Sequence, residues 1–427
     1  MFFDDAIVAS KELEIALTGK SCGLEERAPM CGIPYHAVET YLARLVSRGY
    51  KVAICEQVED PKLAKGLVKR EVIRVVTPGT NLDVQSLEAS KNNYLMCIAY
   101  TSDGIGISAA DVTTGDYYVT EVEDLRKLKD ELMKYEPSEI ICNEAFLVSG
   151  YDVEDLKSRL HMSVSSLESH MFDDDGCRRI LMRHFKVNTL IGLGVEEFPT
   201  GILAAGALLQ YLYDTQKTDL EHFTHISPYL TSKYMLLDSS TRRNLELTET
   251  LREKQKRGSL LWVLDKTKTA MGGRLLRNYI EQPLIDKEEM EKRLDAIQEL
   301  NQDSISRDEI REYLNPVYDL ERLLSKVTYK TANPRDLIAF RNSLQMLPPI
   351  KTVLAGFQKE ELAAIREEID GLEDIYQLID EAIVEEPPIS IREGGMIKDQ
   401  FDETIDHLRA AKHDGKQWLV QLEEEDR

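Results

Sequence analysis

The sequence predicts a multidomain protein in which two α/β units precede a long all-α region. Three observations support this architecture. At 427 residues the chain is too long for a single core, because domains average about 150 residues. Strand-like alternation and turn signals recur up to about residue 225. After Tyr229 amphipathic helical patterns replace them almost completely.

The first unit, residues 1–80, is predicted to mix helix and strand. Apolar residues at helical spacing predict a helix over residues 38–48. Residues 50–55 alternate as a strand does, and a second strand over residues 71–76 ends at the turn sequence Thr-Pro-Gly-Thr. Residues 81–93 are polar and weakly patterned, which predicts a linker.

The second unit, residues 94–228, begins with three short strands separated by Asp-Gly and Thr-Gly-Asp turns, which predicts an antiparallel meander. A helix, a strand and further helices follow. One of these helices is apolar on most sides, so it is predicted to be buried. The predicted strands are residues 94–100, 104–111, 116–120 and 139–142, and the buried helix is residues 200–213.

Residues 229–394 are predicted to be helical, with amphipathic segments over residues 259–279, 287–300 and 335–347 that prolines punctuate. A last segment, residues 395–427, follows two glycines and predicts a charged helix without an apolar partner. Such a helix is expected to be one arm of a pair.

Composition narrows the function classes. The chain has 42% hydrophobic and 30% charged residues, which is typical of a folded globular protein. No stretch approaches the roughly 20 apolar residues of a membrane span, and acids stand where a secretory signal carries Lys or Arg. We therefore expect a cytoplasmic protein without a membrane partner. Six scattered cysteines without a Cys-x-x-Cys pair favour buried reduced thiols over zinc.

Three short motifs resemble ligand sites and are better explained otherwise. Thr18-Gly-Lys-Ser21 ends like a phosphate-binding loop, but Glu14 stands where the first glycine is required. His222 and His225 lack an acidic or thiol ligand nearby in sequence. The acidic run over residues 173–175 lacks the spaced oxygen ligands of a calcium loop. The sequence thus predicts no cofactor and no metal.

Two carboxylates leave an enzymatic alternative open. The strand layout of the second unit could belong to a metal-dependent, ribonuclease H-like nuclease, which would place carboxylates on strands to hold two metal ions. Asp111 and Asp116 are the candidates. Turn formation around Gly115 explains both residues more simply. A third possibility is a helical scaffold that binds only proteins.

Clusters of basic residues stand out in a chain of net charge −23. A uniformly acidic surface repels DNA, so any contact with DNA needs such local clusters. One run comprises Lys62, Lys65, Lys69, Arg70 and Arg74, and it precedes and enters a predicted strand. Such side chains can position a protein on phosphates, or they can balance neighbouring acids in a solvated loop. A second run, residues 252–257, leaves the same two interpretations open.

Residues 27–36 form the most unusual predicted loop. Two prolines and a glycine restrict its backbone, while Met30, Ile33 and Tyr35 add apolar bulk. Rigid apolar loops can press on a DNA groove. Packing in the protein core explains the apolar side chains of Met30 and Ile33 at least equally well.

Eight blocks of sequence carry a family resemblance. Six resemble, in order, the mismatch-binding domain of the bacterial MutS family, and two resemble the start of its core domain. The six blocks are Met1-Phe-Phe-Asp-Asp-Ala6, Leu13-Glu-Ile-Ala-Leu-Thr18, Pro29-Met-Cys-Gly-Ile-Pro-Tyr-His36, Val52-Ala-Ile-Cys-Glu-Gln57, Val68-Lys-Arg-Glu-Val72 and Arg74-Val-Val-Thr-Pro-Gly-Thr80. The other two are residues 238–246 and 259–283.

The resemblance implies a small mixed α/β mismatch-binding domain over residues 1–80 and a ribonuclease H-like connector without nuclease activity over residues 94–228. A helical core and lever would occupy residues 229–394, and residues 395–427 would begin a DNA clamp. It implies DNA mismatch repair through recognition of mismatched double-stranded DNA, without catalysis by this chain. Implied partners are duplex DNA with mismatches or small loops, a MutL-like protein at the connector or core, and a second copy in a homodimer.

The implied DNA-binding residues divide into two groups. Lys69, Arg70 and His36 would contact the DNA backbone. Residues Met30, Ile33, Pro34 and Tyr35 would shape a loop beside the groove.

Two family features have no counterpart in these residues. The family carries a Phe-x-Glu motif immediately before the block matched by Met1, and its Phe stacks on the mispaired base while its Glu bonds to that base. The family's ATPase domain, where ATP and Mg²⁺ bind, is also not represented. The resemblance therefore implies a mismatch-binding region without its first strand and without the ATPase domain.

Overall fold

The computed structural model describes residues 1–415 except 24–25, 35–36, 60–67, 84–86, 159, 161, 390 and 413–414. The chain forms two compact units. Unit 1 comprises Met1–Lys287 together with Leu324–Tyr329, and unit 2 comprises Glu288–Leu323 together with the residues from Lys330 onward.

The first 80 residues of unit 1 confirm the predicted mixture of helix and strand. The predicted helix over residues 38–48 is α2, and the two predicted strands are β3 and β4, which pair antiparallel. A small core of Ala6, Leu13 and Leu45 joins the first two helices. The elements are α1 (Phe3–Leu13), β1 (Thr18–Lys20), β2 (Ala28–Met30), α2 (Val38–Val46), β3 (Val52–Gln57) and β4 (Arg70–Val76).

The predicted turn after β4 is a single 3-10 turn, Pro78–Thr80. Thr77 is its N-cap residue, and the Thr80 hydroxyl accepts from the Thr77 backbone N–H at 2.9 Å. Residues 81–93, predicted to be a linker, include two asparagines that are buried, Asn81 and Asn93. Asn93 donates its amide to the Pro78 carbonyl at 3.0 Å, so the chain stays close to the turn as it enters the next element.

A six-stranded sheet forms the centre of unit 1. Its strands are β5 (Leu95–Tyr100), β6 (Ile105–Asp111), β7 (Asp116–Val122), β8 (Glu139–Cys142), β9 (Ser163–Ser166) and β10 (Ser227–Pro228), in the order β10-β7-β6-β5-β8-β9. The predicted antiparallel meander is confirmed by β5, β6 and β7. β8 and β9 extend the sheet in parallel, and neither β9 nor β10 was predicted.

Helices cover both faces of this sheet. They are α3 (Leu125–Tyr135), α4 (Glu144–Leu147), α5 (Val153–Ser158), α6 (Asp174–His184) and α7 (Pro199–Gln216). α7 is buried along most of its length, which confirms the prediction for residues 200–213. It lies close to its neighbours because two glycines leave room. A Cβ added at Gly206 would lie 2.3 Å from the Cys177 Cβ, and one at Gly106 would lie 1.9 Å from the Thr200 carbonyl oxygen.

The remaining helices of unit 1 are α8 (Ser239–Asn244), α9 (Leu260–Leu264) and α10 (Ala270–Glu281). The amphipathic pattern over residues 259–279 is therefore realised as two helices. Asp265 ends the first by accepting hydrogen bonds from the Thr267 N–H and hydroxyl, at 3.2 and 2.7 Å. Thr269 begins the second, since its hydroxyl accepts from the Gly272 N–H at 3.1 Å.

Most of the described chain from residue 287 to residue 382 is helical, in agreement with the helical region predicted over residues 229–394. The elements are α11 (Lys287–Gln302), α12 (Ser304–Leu314), α13 (Leu320–Thr328), α14 (Pro334–Leu344), α15 (Leu347–Leu354), α16 (Glu360–Glu368) and α17 (Glu373–Ala382). In unit 2, Ala296, Ile350, Leu354 and Phe357 form the main cluster. The charged helix predicted over residues 395–427 begins later than expected: residues 403–412 are helical, whereas residues 395–402 are not, because Ile397 forms an antiparallel bridge with Ile383. Residues 413–414 and 416–427 lie outside the described residues.

Candidate nucleic-acid interface

The segment around Met30 is held by the N-terminus of the chain. Phe2 forms an antiparallel bridge with Met30. The Met1 backbone nitrogen donates to the Cys31 carbonyl at 3.1 Å, and the Cys31 N–H donates to the Met1 carbonyl at 3.2 Å. On the other side, Thr18 pairs with Met30 in the register of β1 and β2. The backbone at Met30 is therefore fixed from both edges.

Beyond Met30, the side chains of the predicted loop differ in exposure. Met30 and Ile33 are half-buried, while Pro34 is exposed. Cys31 between them is buried in the cluster with Ala6. Core packing thus explains part of the apolar bulk at Met30 and Ile33 but not the exposure of Pro34. Tyr35 and His36 lie outside the described residues.

The strands β3 and β4 form a two-stranded ribbon that emerges from the domain core. Its base is buried, because Val76 packs with Leu42 and Val46 of α2. Towards the other end the ribbon is exposed on both faces, as shown by the successive exposed residues Val72 and Ile73. A register shift between Ile54 and Cys55 marks where the exposed part begins. A ribbon of this kind has dimensions that suit the major groove of DNA.

Lys69 and Arg70 lie together in the exposed part of this ribbon. Arg70 pairs with Gln57 in the strand register, and its side chain is exposed without an ion pair among the described residues. Lys69 forms an ion pair with Glu71, at 2.5 Å between the ammonium and the carboxylate oxygen. Both side chains of that pair are more than half exposed, so its net contribution is about 0–1 kcal/mol. Lys69 can exchange this partner for a phosphate at little cost.

Arg74 does not belong with the other basic residues of the run. Its guanidinium donates to the Gln216 side-chain oxygen at 3.2 Å and to the Thr80 carbonyl at 3.0 Å. Burial lowers the pKa of Arg74 from its usual value. Because both donors are turned towards the interior, this residue is not available to DNA. Lys62 and Lys65 lie outside the described residues.

The second basic run behaves as a surface loop. Lys256 forms an ion pair with Asp265 at 2.6 Å, next to the start of α9. Arg252, Lys254 and Arg257 are exposed. Nothing in their local arrangement favours DNA over solvent.

The two carboxylates of the nuclease alternative serve the turn between β6 and β7. The Asn92 amide donates to Asp111 and to Asp116, at 2.9 Å in both cases. Asp111 also accepts from the Thr113 N–H at 2.8 Å, and Asp116 accepts from the Thr114 hydroxyl at 2.8 Å. Burial, followed by the charge of Asp111, raises the pKa of Asp116. A bridging amide occupies the place a metal ion would need.

The other motifs of the sequence also have structural roles. Asp173 caps α6 by accepting from the Gly176 N–H at 2.9 Å. Glu14 is the left-handed residue that ends α1. His222 is buried and His225 is exposed, so they do not face a common site. Within the described residues, no group of three His, Cys, Asp or Glu side chains could hold a metal ion.

Comparison with known proteins matches nearly the whole chain to one family, in three consecutive parts. Residues 1–85 match MutS domain I, residues 93–226 match MutS domain II and residues 240–426 match MutS domain III. The chain belongs to the MutS family. The order of these domains is the order that the sequence blocks predicted.

Curated relatives support the same assignment. A protein from Lachnoclostridium phytofermentans named DNA mismatch repair protein MutS is 63% identical over 99% of this chain and 45% of its own length. Proteins of the same name from Ruminiclostridium cellulolyticum and Acetivibrio thermocellus are 51% and 49% identical, over 48% and 49% of their lengths. The chain thus spans about half the length of the relatives it matches. None of the helices among its described residues is long and apolar enough to cross a membrane.

The two groups of predicted MutS site residues lie on separate elements. Met30, Ile33 and Pro34 follow β2, whereas Lys69 and Arg70 lie on the β3–β4 ribbon. No hydrogen bond or ion pair joins the two groups in the described part of domain I. The sequence did not predict the contacts of Lys51 and Arg74 with the second domain, because nothing in the local sequence distinguishes a cation that bonds to another domain from one that only contacts solvent.

Proposed function

We propose that this chain binds duplex DNA and contributes mismatch recognition to DNA mismatch repair, without catalysing a reaction itself. The observation that carries the proposal is the consecutive match to three MutS domains over nearly the whole chain. The relatives that share this arrangement carry the name DNA mismatch repair protein MutS.

The ribbon supplies the proposed contact with the DNA backbone. Arg70 is exposed and forms no ion pair with a described residue, so it can meet a phosphate directly, and Lys69 can do so after releasing Glu71. Such contacts position a protein without reading sequence, which suits a sensor that must act at any site. The segment Met30–Pro34 is proposed to shape, with Tyr35, a loop beside the groove. His36 is proposed to contact the DNA backbone.

The second domain is proposed to be a ribonuclease H-like connector without nuclease activity. Its order of three antiparallel strands followed by two parallel ones supports this fold. Asp111 and Asp116 are bridged by the amide of Asn92, which supports a structural role over metal-dependent cleavage. We propose the same domain limits as the sequence predicted, namely residues 1–80, 94–228, 229–394 and 395–427.

The strongly acidic composition favours enclosure of DNA over adhesion to a basic surface. With a net charge of −23, only local cations such as Lys69 and Arg70 would touch the duplex. We propose that enclosure requires a second copy of the protein and that a MutL-like protein contacts the connector or core. ATP and Mg²⁺ would act in a part of the family's length that these residues do not span.

Fluorescence anisotropy on a G·T duplex and its matched control tests the proposal. We expect weak binding that falls steeply with salt. A polypeptide limited to these residues has no Phe-x-Glu motif before Met1, so we expect the two duplexes to bind within a few-fold of each other. A tenfold preference for the mismatch, about 1.4 kcal/mol, would assign base reading to residues such as Met30.

The same samples test the alternatives. A labelled duplex incubated with Mg²⁺ or Mn²⁺ should remain intact, whereas metal-dependent cleavage would establish the nuclease. Absence of any salt-dependent association with DNA would instead favour a scaffold that binds only proteins.

A further inference from the structure

A buried carboxylate lies where the first two MutS domains meet within unit 1. Glu139 is the first residue of β8, and its side chain is completely buried. One of its oxygens accepts from the Tyr211 hydroxyl at 2.8 Å and from the Lys51 ammonium at 2.9 Å. The other accepts from the Thr77 hydroxyl, and from the Gly79 N–H at 3.1 Å. All four donors converge on one anion.

These donors come from both domains. Lys51, Thr77 and Gly79 belong to the stretch that matches MutS domain I, while Tyr211 shares domain II with Glu139. Lys51 lies immediately before β3 and Thr77 immediately after β4. The carboxylate therefore holds both strands of the ribbon at its base.

The backbone around this carboxylate is packed without spare room. A Cβ added at Gly79 would lie 2.9 Å from the Leu95 Cβ and 3.0 Å from the Glu139 Cβ. Lys51 has further partners in domain II, because its ammonium donates to the Tyr211 and Ser165 hydroxyls at 2.9 and 3.0 Å.

A second group of hydrogen bonds completes the junction. Arg74 donates to the Gln216 side chain at 3.2 Å, and the Gln216 amide donates to the Val75 carbonyl at 3.3 Å. Both strands of the ribbon are thus bonded to α7 or β8 by directional contacts. An interface between domains is ordinarily expected to allow relative motion unless it is large and apolar.

We infer that Glu139 is a positioning residue that fixes the orientation of the DNA-binding ribbon on the connector. Four donors arranged around one buried anion have a narrow range of favourable geometry. The three donors from domain I, Lys51, Thr77 and Gly79, lose their bonds if the domains rotate. Replacing the anion by a neutral amide leaves Lys51 without its counter-ion and turns an amide N–H₂ towards other donors. The inference rests on the proposed function only in assigning the ribbon to DNA.

Glu131 provides a matched control within the connector. It is also a buried carboxylate bonded to one lysine and one tyrosine, namely Lys134 at 3.1 Å and the hydroxyl of Tyr229. In contrast to Glu139, it accepts no hydrogen bond and forms no ion pair with the described residues of domain I. Glu131→Gln should therefore destabilise the protein by a similar loss, that of the counter-ion of a lysine and of an acceptor for a tyrosine, without releasing the ribbon.

Distance measurements between two spin labels test the inference. One label goes on Cys55 of β3, which is exposed, with Cys22 replaced by Ser because it is the other exposed cysteine of the described residues. The second label goes on Val148→Cys in the connector, where the side chain is 85% exposed. We expect one narrow distance distribution in the parent and in Glu131→Gln, and a broadened or divided distribution in Glu139→Gln.

A narrow distribution in Glu139→Gln, or equal broadening in Glu131→Gln, would overturn the inference. Lys51→Met, at a residue whose side chain is 35% exposed, removes one donor more mildly and should broaden the distribution even if Glu139→Gln does not fold. In parallel, Glu139→Gln should weaken DNA binding about 2- to 30-fold, the range of couplings carried between sites. If the parent binds no DNA, the proposed function fails while the distance result still decides the role of Glu139.

Discussion

His222 should make the stability of unit 1 depend on pH. The imidazole is 8% exposed and lies between Phe223 and Tyr329, with ring centroids 4.3 and 5.1 Å away. Burial lowers its pKa from 6.5 to about 4. Between these two values the unfolded chain binds a proton that the folded chain rejects, so unfolding takes up a proton and stability falls as pH falls.

The size of the effect follows from the two pKa values. At about pH 7 the residue is neutral in both states and the penalty is close to zero. At about pH 5 most unfolded chains are protonated at this position and few folded ones are, which costs about 2 kcal/mol at 1.36 kcal/mol per pKa unit. Replacing His222 by Phe keeps a ring among the two aromatic neighbours and removes the titrating group.

Urea unfolding followed by circular dichroism measures this difference. We expect the parent to lose about 2 kcal/mol more than His222→Phe between pH 7 and pH 5. His184, whose pKa is also lowered by burial, contributes equally to both proteins and cancels in the comparison. Parallel pH profiles for the two proteins would show that His222 is solvated or protonated in the folded state, contrary to this reasoning.

Two further predictions concern packing and charge. Gly206→Ala should destabilise unit 1 by about 1–3 kcal/mol, because the new methyl group would overlap Cys177, whereas Gly192→Ala meets nothing within 4 Å and should change stability by less than about 0.5 kcal/mol. Equal unfolding midpoints would contradict the close approach of α6 and α7. Arg341→Ala should cost unit 2 about 1–3 kcal/mol, since its guanidinium is 9% exposed and bonds to Asp380 and Glu385 at 2.8 Å. Arg307→Ala, at an exposed ion pair of 3.3 Å with Asp308, should be nearly neutral, and a similar loss in both variants would argue against a structural role for Arg341.

Local patterns in the sequence predicted much of the fold. The helical spacing before Gly49 gave α2, and the turn residues around Gly115 placed the boundary between β6 and β7. The uninterrupted apolar character of residues 200–213 identified α7 as buried, because a helix that is apolar on most sides must be covered on most sides.

Other elements could not be predicted because tertiary contacts determine them. β9 consists of Ser163–Ser166, and its short polar sequence becomes a strand only by pairing with β8. The division between α9 and α10 depends on side-chain caps at Asp265 and Thr269 that the amphipathic pattern conceals.

The candidate site also combines features that the local sequence predicts with features that only tertiary contacts determine. Charge and position along the chain placed Lys69, Arg70 and Arg74 in one basic run and did not distinguish between them. Only the three-dimensional structure shows that Arg74 bonds to Gln216, which is 142 residues away in sequence. The buried state of Glu139 likewise depends on donors from residues 51, 77, 79 and 211.

The salt dependence of DNA binding by Lys69→Ala/Arg70→Ala tests the proposed interface most directly. The matched control is Arg126→Ala/Lys127→Ala on α3, which removes the same charge and also contains an exposed lysine ion pair, Lys127 with Glu123 at 2.7 Å. If both ribbon cations contact phosphates, the ribbon variant should bind matched and mismatched duplexes more weakly to the same extent. Its plot of log affinity against log salt should flatten by about two units, while the control keeps the parental slope. An unchanged slope in the ribbon variant, or an equal change in the control, would contradict DNA binding through this ribbon.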